Sequence, residues 1–402
     1  MIAYERSTTA LPADSARPDG TVFGFELRST DPRSRARLGR IETRRGPIET
    51  PVFMPVGTQA TIKTLHPAEV ERLGAQIVLA NTYHLMLRPG PELIDLAGGL
   101  HPFMRWPRPI LTDSGGFQIF SLAQQAKVSE EGVRFRSHID GSPHMLTPER
   151  AVDIQATLGS EIMMALDHLV GLPAKPRKIY DATMRTHRWL ERCIAALAGS
   201  DQPRRGALFG IVQGGMEPEL RKLSAEIVAA SNVSGIAIGG LSVGETKSEM
   251  AEMIDIVIPE LPEFKPRYLM GVGSPEDLWN GVAQGIDMFD CVLPTRLARN
   301  GSVFTPDGRI DLHTRIHRES FIPIDATCDC ETCQHFDRAY LHHLFRAREI
   351  LALRLASVHN LRFLVRQMET MRRAIADGAF SQAHADFLDR YRVARPKASV
   401  PA

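Results

Sequence analysis

Short runs of apolar and β-branched residues recur along the chain from residue 50 onward, and amphipathic stretches lie between most of them. The runs do not alternate apolar with polar residues, which is typical of parallel strands buried on both faces of a sheet. This pattern predicts an α/β fold of the (β/α)8 TIM barrel type, with a doubly wound open sheet as the alternative. The eight runs are residues 52–56, 76–80, 109–112, 161–166, 207–212, 235–238, 267–270 and 285–289.

The stretches between the runs have helical periodicity, and several open with a proline, which suits the first helical turn. Short strands are predicted ahead of the barrel, at residues 22–26, 40–43 and 47–50. A hairpin is predicted at residues 132–146, with Asp140 and Gly141 as its tight turn. The predicted helices are residues 67–73, 91–96, 148–158, 181–197, 217–230, 247–258, 275–283, 340–350 and 361–371.

Composition and charge narrow the class of protein. With 43% hydrophobic and 24% charged residues among 402, the chain has the composition of a globular protein with a sizeable core. A net charge of +1 argues against nucleic-acid binding through the overall field, yet residues 296–402 carry 17 Lys and Arg against 12 Asp and Glu. No apolar run approaches the ~20 residues that span a bilayer and no signal layout is present, so we expect a cytoplasmic location without membrane contact.

Polar residues follow most of the predicted strands, at the end where a (β/α)8 barrel carries its active site. A single Asp in such a place is more often a helix cap than a catalyst, but the joint occurrence of several predicts a site. Carboxylates accept hydrogen bonds whereas amide groups also donate them, which suits a planar ligand such as guanine. The residues at these strand ends are Asn81, Asp113, Asp167, Gln213, Gly239, Gly240, Met270, Gly271 and Asp290, of which three are carboxylates and two are amides.

Two of these carboxylates, Asp113 and Asp290, are candidates for a retaining glycosyl transfer. One would attack the anomeric carbon to form a covalent sugar ester, and the other would handle protons. Asp113 precedes a Ser-Gly-Gly-Phe sequence whose glycines let the backbone approach a ligand closely. Asp290 is followed by Arg296 and Arg299, which indicate a place for anions beside the carboxylate.

Three cysteines crowd together at Cys328, Cys330 and Cys333, a spacing that predicts a structural zinc site. With His359 they supply four protein ligands, which leaves no position for a catalytic water. Reduced cysteines without a metal are the alternative. Three other histidines lie closer in sequence and remain open as the fourth ligand: His335, His342 and His343.

These signals divide the chain into four predicted parts. Residues 1–20 mix Ser, Thr, Pro and charged residues without periodicity and are expected to form a mobile tail. The catalytic barrel is predicted at residues 21–305, and a zinc-binding subdomain at residues 306–375 is inserted after the eighth strand. Residues 376–402 are expected to form a C-terminal helix that closes the barrel, and then a tail.

Several long motifs resemble those of the tRNA-guanine transglycosylase family, also called queuine tRNA-ribosyltransferases. The resemblance covers approximately residues 22–392 and keeps the motifs in order. They are MPVGTQATIK (54–63), NTYHLMLRPG (81–90), LTDSGGFQ (111–118), SHIDGS (137–142), IVQGG (211–215), GGLSVGE (239–245), YLMGVG (268–273), DMFDCVLPTR (287–296) and the cysteine cluster with its histidine.

The resemblance implies an activity: exchange of the guanine at wobble position 34 of GUN-anticodon tRNAs (Asp, Asn, His and Tyr) for a 7-deazaguanine base, in queuosine biosynthesis. It implies that Asp290 is the nucleophile at C1′ of the ribose and that Asp113 is the general base. The residues expected to bind the base are Ser114, Gly115, Gly116, Phe117, Asp167, Gln213, Gly240, Leu241 and Met270.

The resemblance also implies partners: the tRNA anticodon loop, one structural Zn²⁺ per chain and a second copy of the chain in a homodimer. The zinc ligands it implies are Cys328, Cys330, Cys333 and His359. The residues expected to bind RNA are Gly271, Val272, Gly273, Ser274, Pro275, Glu276, Asp277, Thr295, Arg296, Leu297, Ala298 and Arg299.

Three positions depart from the bacterial pattern of this family. Bacterial members that use the aminomethyl precursor usually have Glu-Cys where this chain has His168 and Leu169. Bacterial members usually have Tyr where this chain has Phe117, whereas Val243 resembles the bacterial type. We expect 7-aminomethyl-7-deazaguanine as the incoming base, with queuine as the alternative. A non-catalytic, zinc-stabilised tRNA-binding subunit is the alternative of another class, and a sugar-phosphate barrel enzyme is a weaker one.

Overall fold

The computed structural model describes residues 23–122, 124–200 and 204–392, so the predicted tail at residues 1–20 lies outside the described residues. In these residues the strands are β1 (Phe23–Thr30), β2 (Arg37–Thr43), β3 (Ile48–Thr50), β4 (Val52–Pro55), β5 (Val78–Ala80), β6 (Ile110–Thr112), β7 (Gln124–Val128), β8 (Val133–Arg136), β9 (Pro143–Leu146), β10 (Ile162–Met164), β11 (Ala207–Val212), β12 (Gly235–Ile238), β13 (Arg267–Leu269), β14 (Met288–Cys291), β15 (Ser302–Thr305) and β16 (Gly308–Asp311).

Helices follow most of the barrel strands, as the sequence predicts. They are α1 (Pro67–Arg72), α2 (Thr82–Leu87), α3 (Pro91–Leu96), α4 (Leu100–Met104), α5 (Gly116–Leu122), α6 (Pro148–Leu158), α7 (Pro176–Ala198), α8 (Pro218–Ala230), α9 (Lys247–Val257), α10 (Pro275–Ala283), α11 (Leu293–Arg299), α12 (Glu331–His335), α13 (Arg338–Ala347), α14 (Ile350–Ala376) and α15 (Phe380–Arg390). None of these described helices is both long and apolar enough to span a bilayer.

The eight predicted strands form one parallel sheet in the order β4-β14-β13-β12-β11-β10-β6-β5. The first and last strands of that order meet through the parallel bridge between Val56 and Leu79, where Gly57 N donates to Leu79 O at 2.7 Å. This bridge nearly closes the sheet on itself. The barrel prediction is therefore confirmed and the open-sheet alternative is wrong.

Side chains that point into the barrel form one apolar cluster, and those that point outward form another beneath the helices. Met54, Ile211 and Tyr268 belong to the inner cluster, whereas Phe53 and Leu269 belong to the outer one. Adjacent residues of β4 and β13 thus face opposite sides, as the two-residue period of a strand requires. Burial of both faces explains why the strand sequences show no polar alternation.

The antiparallel sheet β1–β3 lies at the end of the barrel where its strands begin. Arg37 of β2 forms a buried ion pair with Asp287, whose Oδ2 also accepts a hydrogen bond from Arg267 N at 2.8 Å. Glu161, just before β10, accepts a hydrogen bond from Ile110 N at 2.9 Å. The buried carboxylates Asp287 and Glu161 at this end are thus satisfied within the protein.

The hairpin of β8 and β9 is present, but its predicted two-residue turn at Asp140 and Gly141 is wrong. The strands pair only up to Arg136 and Pro143, and residues 137–142 form a wider loop closed by a 2.9 Å bond from Ser137 N to Ser142 O. Asp140 Oδ1 accepts hydrogen bonds from Ser142 inside this loop, so its side chain takes the place of further strand pairing. Strand β7 pairs with β8 as a third strand.

Helix α14 has 27 residues and is longer than the predicted helix at residues 361–371, because buried residues continue along most of its length and residues 355–361 are buried on all sides. It joins the region after the barrel to the barrel itself: Arg372 Nη1 donates to Pro51 O at 2.7 Å, and Gln367 Oε1 accepts from Trp279 Nε1 at 2.9 Å. The proposed boundaries at residues 305 and 375 stay predictions.

Candidate active site

Six neighbouring barrel strands bring the predicted polar residues to one rim. Asp113 directly follows β6, Asp167 lies just beyond β10, and Gln213 directly follows β11. Asp290 lies inside β14, rather than after the strand as the sequence indicated. Because the strands are parallel, their carboxyl ends form one edge of the barrel, and these four side chains belong to it.

Asp113 is buried, with 8% of its surface exposed, and it accepts hydrogen bonds from three donors. Asn81 Nδ2 and Gln118 Nε2 donate to Oδ2, and Thr82 N donates to Oδ1 at 2.9 Å. Burial raises the pKa of the Asp113 carboxyl to about 6, against the effect of these donors and together with the negative charge of Asp290. A carboxyl with such a pKa can both release and accept a proton near neutral pH.

Asp290 is held through one oxygen. Tyr268 Oη donates to Oδ1 at 2.6 Å and Gly271 N donates to the same atom at 2.7 Å. Burial raises the pKa of Asp290, and these two hydrogen bonds oppose that shift because they favour the carboxylate. Among the described residues no donor is bonded to Oδ2, so that oxygen is available to an electrophile.

The sequence interpretation missed Tyr268 as a functional residue. Tyr268 is 1% exposed and lies in β13, where a tyrosine reads as an ordinary core residue. Burial raises its pKa well above the usual value, so the phenol stays protonated and remains a donor. The signal in the sequence was its position: Tyr268 faces the barrel interior two residues before Met270, whose place on the rim was predicted.

Asp167 and Gln213 place an acceptor beside a donor. Gln213 Nε2 donates to Asp167 Oδ2 at 2.7 Å, and Ser114 Oγ donates to Oδ1 at 3.4 Å. Burial raises the pKa of Asp167 to about 6, and these two hydrogen bonds oppose the shift. An adjacent acceptor and donor match the edge of a purine on which a ring N–H lies next to a carbonyl.

Two glycines are required by close approach at this edge. A Cβ on Gly116 would lie 2.9 Å from Asp167 Oδ1, and a Cβ on Gly240 would lie 2.3 Å from Gln213 Oε1. Gly240 also has a φ of 64°, which disfavours other residues. The carbonyl of Gly240 accepts a hydrogen bond from Arg221 of α8, a residue that the sequence interpretation missed because an arginine in an amphipathic helix is usually exposed.

Phe117 and Met270 are the residues predicted to cover the two faces of the base. Phe117 lies at the start of α5 with 53% of its surface exposed, and Met270 is half-buried directly after β13. Both side chains therefore have surface available to a ligand. Their contact with a base stays a prediction.

The wall next to Asp167 is built by His168 and Leu169. Leu169 is buried, and His168 Nδ1 lies 3.1 Å from Arg185 Nη1 of α7. Burial, together with the positive charge of Arg185, lowers the pKa of His168 to about 4, so the ring is neutral at pH 7. An uncharged wall thus stands next to Asp167.

The predicted RNA-binding segment of residues 271–277 runs from the end of β13 into the first turn of α10 and is mostly engaged within the protein. Val272 is 3% exposed, and a Cβ on Gly273 would lie 2.3 Å from Cys291 Cβ. Lys247 Nζ forms ion pairs with both Glu276 (2.5 Å) and Asp277 (2.8 Å). These acidic groups are thereby neutralised, which removes a source of repulsion for a phosphate.

The second predicted RNA segment lies in α11, just beyond Asp290. Arg296 is exposed in the last turn of that helix, and Arg299 is half-buried, with a buried Nη1 that has no hydrogen-bond partner within the described residues. Thr295 and Ala298 are buried and face the core. The side chains available to an anion in this helix are therefore the two arginines.

Cys291, the neighbour of Asp290, lacks the properties of a nucleophilic cysteine. Burial raises the pKa of its thiol to about 12, and the adjacent Asp290 charge acts in the same direction. A thiol of this kind stays protonated at neutral pH, and the thiolate is the reactive form of cysteine.

A second candidate site lies beyond the barrel strands, where three thiols and one imidazole meet. The ligand atoms of Cys328, Cys330, Cys333 and His359 all lie within 4.8 Å of one another, and all four residues are buried. His359 Nε2 lies 2.7 Å from Phe304 O and donates to it, which leaves Nδ1 directed at the sulfurs, 3.2 Å from that of Cys333. This donor set fits a tetrahedral metal ion.

The structure resolves which histidine completes the cluster. His359 belongs to it, and the three sequence alternatives do not; His342, for example, bonds the carbonyl of Leu312 at 2.7 Å. His359 lies 26 residues beyond Cys333, on α14, and only the path of that helix brings it back to the cysteines. Sequence distance therefore favoured the wrong candidates.

Asn360 connects the metal cluster to the helix that follows Asp290. Its Nδ2 donates to Pro294 O at 3.0 Å and to Ser302 O at 3.1 Å, and its Oδ1 accepts from Phe304 N at 3.0 Å. The neighbouring His359 bonds the carbonyl of the same Phe304. Two consecutive residues of α14, His359 and Asn360, thus contact both the cysteine cluster and the first turn of α11.

Comparison with known proteins gives a consistent match. The family model described as queuine tRNA-ribosyltransferase matches residues 31–393. Among similar proteins, the queuine tRNA-ribosyltransferase of Herpetosiphon aurantiacus is 57% identical over 370 residues, which cover 92% of this chain and 93% of the relative. Those of Symbiobacterium thermophilum (56%; 91% of both chains) and Moorella thermoacetica (54%; 91% and 97%) are similar over 367 residues each.

Proposed function

The chain belongs to the queuine tRNA-ribosyltransferase family, and from that premise we propose that it exchanges guanine 34 of GUN-anticodon tRNAs through a covalent intermediate on Asp290. Members of this family are tRNA-guanine transglycosylases, pentosyltransferases that exchange a guanine of tRNA in queuosine synthesis. The tRNAs proposed are those for Asp, Asn, His and Tyr, and the incoming base proposed is 7-aminomethyl-7-deazaguanine. The observation that carries the mechanism is the pair of rim carboxylates, Asp113 and Asp290, in different environments.

In the first step, Asp290 Oδ2 attacks C1′ of the ribose and the bond between C1′ and the guanine nitrogen breaks. The bonding electrons leave with guanine, which takes up a proton delivered by Asp113. The hydrogen bonds of Tyr268 and Gly271 to Oδ1 support this role, because they fix the carboxylate while Oδ2 stays available. The product is an ester between Asp290 and the tRNA.

In the second step, the incoming base replaces Asp290. Asp113 takes the proton from the ring nitrogen of the base, that nitrogen attacks C1′, and Asp290 leaves as a carboxylate. A pKa of about 6 for Asp113 suits a group that gives a proton in one step and takes one in the next. No redox change is involved, since one glycosidic bond replaces another.

We propose that the protein recognises the base through its hydrogen-bonding edge and through the two faces of its ring. The Asp167 carboxylate would accept from the ring N–H and the exocyclic amine, and Gln213 with the backbone of Gly240 would donate to the carbonyl. The 2.7 Å contact of Asp167 with Gln213 supports this assignment, because it sets acceptor and donor side by side. Ser114, Gly115, Gly116 and Leu241 are proposed to line the pocket, with Phe117 and Met270 on the faces of the ring.

The identity of the incoming base depends on the pocket wall. Val243 favours the smaller 7-aminomethyl base, whereas the uncharged wall of His168 and Leu169 keeps queuine as a second candidate. Competition between the two bases for the tRNA adduct separates these candidates. A preference for 7-aminomethyl-7-deazaguanine that reverses in Val243→Ala would show that the Val243 side chain excludes queuine.

The remaining proposals concern metal, assembly and domain division. The Cys3His cluster is proposed to hold one structural Zn²⁺, which would supply fold stability rather than chemistry. A homodimer is proposed through the exposed face of α13, where Tyr340, 40% exposed, stacks on Phe336 with ring centroids 5.4 Å apart. The barrel is proposed as residues 21–305 and the metal subdomain as residues 306–375.

Incorporation of labelled guanine into unmodified tRNA-Asp or tRNA-Tyr tests the enzyme against the non-catalytic subunit. The wild type is expected to incorporate the label, and Asp290→Asn is expected to bind tRNA without doing so. A wild-type protein that binds tRNA and incorporates nothing would instead support the tRNA-binding subunit.

A further inference from the structure

Arg221 is a buried cation beside the site. It lies in the first turn of α8 with 0% of its surface exposed, and no ion pair joins it to a carboxylate in residues 23–122, 124–200 and 204–392. Burying a guanidinium without a carboxylate partner is costly, so its retention calls for other compensation. Burial lowers the pKa of Arg221 to about 10, opposed by the charge of Glu245, and the group therefore remains charged at neutral pH.

The guanidinium is compensated by backbone carbonyls from two neighbouring loops. Nε donates to Gly215 O at 2.8 Å, Nη1 donates to Gly239 O at 2.7 Å, and Nη2 donates to Gly240 O at 3.0 Å. One loop follows β11 and carries Gln213, and the other follows β12 and carries Gly240. Arg221 thus joins the two loops that are proposed to bind the carbonyl of the base.

These contacts fix the direction of two amide groups. The described cis peptide bonds all precede proline, so the peptides after Gly239 and Gly240 are trans and their N–H groups point opposite to their carbonyls. Both carbonyls point at Arg221, so the N–H groups of Gly240 and Leu241 point away from it. Within the described part of the chain neither N–H donates to a backbone carbonyl. Two amide donors are therefore left for a ligand.

The side chain of Gln213 lies next to these amides. A Cβ on Gly240 would lie 2.3 Å from Gln213 Oε1, and a Cβ on Gly239 would lie 3.0 Å from Gln213 Nε2. The Gln213 side chain therefore packs against Gly239 and Gly240, and its Nε2, which donates to Asp167 Oδ2, has a second hydrogen for an acceptor such as a ring carbonyl. Without Arg221, the carbonyls of Gly239 and Gly240 would lose the donor that fixes their direction.

We propose that Arg221 is a positioning residue that aims the Gly240 and Leu241 amides at the ligand and thereby makes the site select bases with a carbonyl on that edge. This inference rests on the proposed base exchange. Arg221 itself touches neither the base nor the reacting atoms, and it acts through the two glycine carbonyls.

The test compares bases that lack different parts of guanine. Guanine carries a ring carbonyl, the ring N–H beside it and an exocyclic amine; 2-aminopurine lacks the carbonyl and that N–H, and hypoxanthine lacks only the amine. Full-length wild type, Arg221→Met and Arg221→Lys are assayed for the KM of labelled guanine and for inhibition by the other two bases. Arg267→Met is the matched control, because Arg267 is also buried and bonds the carbonyl of Leu261, but at the opposite end of the barrel.

In Arg221→Met, the KM for guanine is expected to rise about 10-fold or more, as for loss of one well-aimed hydrogen bond, with a smaller change in kcat. The inhibition constant of 2-aminopurine should change little, so the preference for guanine over 2-aminopurine falls. Hypoxanthine has the carbonyl and should weaken as much as guanine does, so the preference for guanine over hypoxanthine is kept. Arg221→Lys should lie between wild type and Arg221→Met. Arg267→Met should keep both preferences even where it lowers stability.

Equal loss of both preferences, or no loss of either, would overturn the role of Arg221. Should Arg221→Met not fold by circular dichroism, Arg221→Lys alone gives the same comparison, and wild-type preferences in that folded variant would equally overturn it. A wild type that exchanges no guanine would contradict the proposed function instead, so the two failures are distinguishable.

Discussion

Tyr268 and Asp290 lie on neighbouring strands of the barrel, and the phenol donates a 2.6 Å hydrogen bond to Oδ1 of the carboxylate. Tyr268 faces the barrel interior and does not lie on the rim, so it supports the proposed nucleophile from below. The bond orients the carboxylate and favours its charged form.

Tyr268→Phe is expected to slow base exchange about 10-fold near neutral pH, because a less well-held Asp290 spends less time in the attacking geometry. Loss of a donor to the carboxylate also raises the pKa of Asp290, so the acid limb of the rate profile should move to higher pH. The measurement is kcat/KM for guanine exchange between pH 5 and pH 9. Tyr391→Phe is the control, since Tyr391 is a buried tyrosine after α15. If the acid limb of Tyr268→Phe lies at the wild-type pH, the hydrogen bond between Tyr268 and Asp290 does not have this role.

Asp113 should make the protein less stable as the pH rises. Its folded pKa, about 6, lies above the usual 3.8, so the folded state binds the proton more tightly and stability is lost between pH 4 and pH 6. We expect Asp113→Asn to gain about 2–3 kcal/mol relative to wild type across that window and to gain no more above it. Urea unfolding at several pH values measures the difference.

The control for this prediction is Asp140→Asn. Hydrogen bonds from Ser142 hold the pKa of Asp140 at about 2, so its protonation lies below the same window. Its difference from wild type should therefore be constant from pH 4 to pH 7. A constant difference for Asp113→Asn as well would mean that Asp113 is charged throughout.

The cysteine cluster is expected to hold about one Zn²⁺ per chain, and Cys330→Ala should lose it. Loss of the metal should lower the free energy of unfolding by more than about 3 kcal/mol, because the four buried ligands then lose their common partner. Metal analysis and thermal unfolding test both parts. The control is Cys193→Ala, at a buried cysteine of α7, which should keep the metal. A Cys330→Ala protein with full metal content would refute the assignment of Cys330 as a zinc ligand.

Arg296 and Arg299 are expected to bind phosphates of the anticodon loop. Substituting either with Ala should weaken tRNA binding and reduce the slope of log K against log salt by about 0.7, the value for one contact to a single strand. The KM for guanine should not change. Arg373→Ala, an exposed arginine at the far end of α14, is the control; equal effects of all three substitutions would show that the attraction is not local.

Much of the fold followed from local patterns. The eight strands were predictable because parallel strands buried on both faces leave uninterrupted apolar runs, and Asp113, Asp167 and Gln213 were found by their place after such runs. The turn of the β8–β9 hairpin was not predictable from the sequence. Asp140 followed by Gly141 fits a tight turn as well as it fits the wider loop that the Asp140 side chain stabilises.

The residues that sequence reasoning missed act over long distances in the chain. Tyr268 has the appearance of a core residue and Arg221 that of an exposed helical residue, and each gains its role from a partner about 20 residues away. His359, by contrast, was predicted as the fourth ligand, although three other histidines lie closer in sequence, and α14 brings it to the cysteines. Such roles depend on which loops meet in space, and spacing along the chain does not encode that.

Formation of an ester between tRNA and Asp290 is the central claim. Wild-type protein mixed with unmodified tRNA-Asp and a weakly bound base is predicted to give a tRNA–protein band on a denaturing gel, which free guanine removes. Peptide mapping of that band should place the ribose on Asp290, and Asp290→Asn should bind tRNA yet give no band. An adduct in Asp290→Asn, or guanine exchange by that variant, would contradict the assignment.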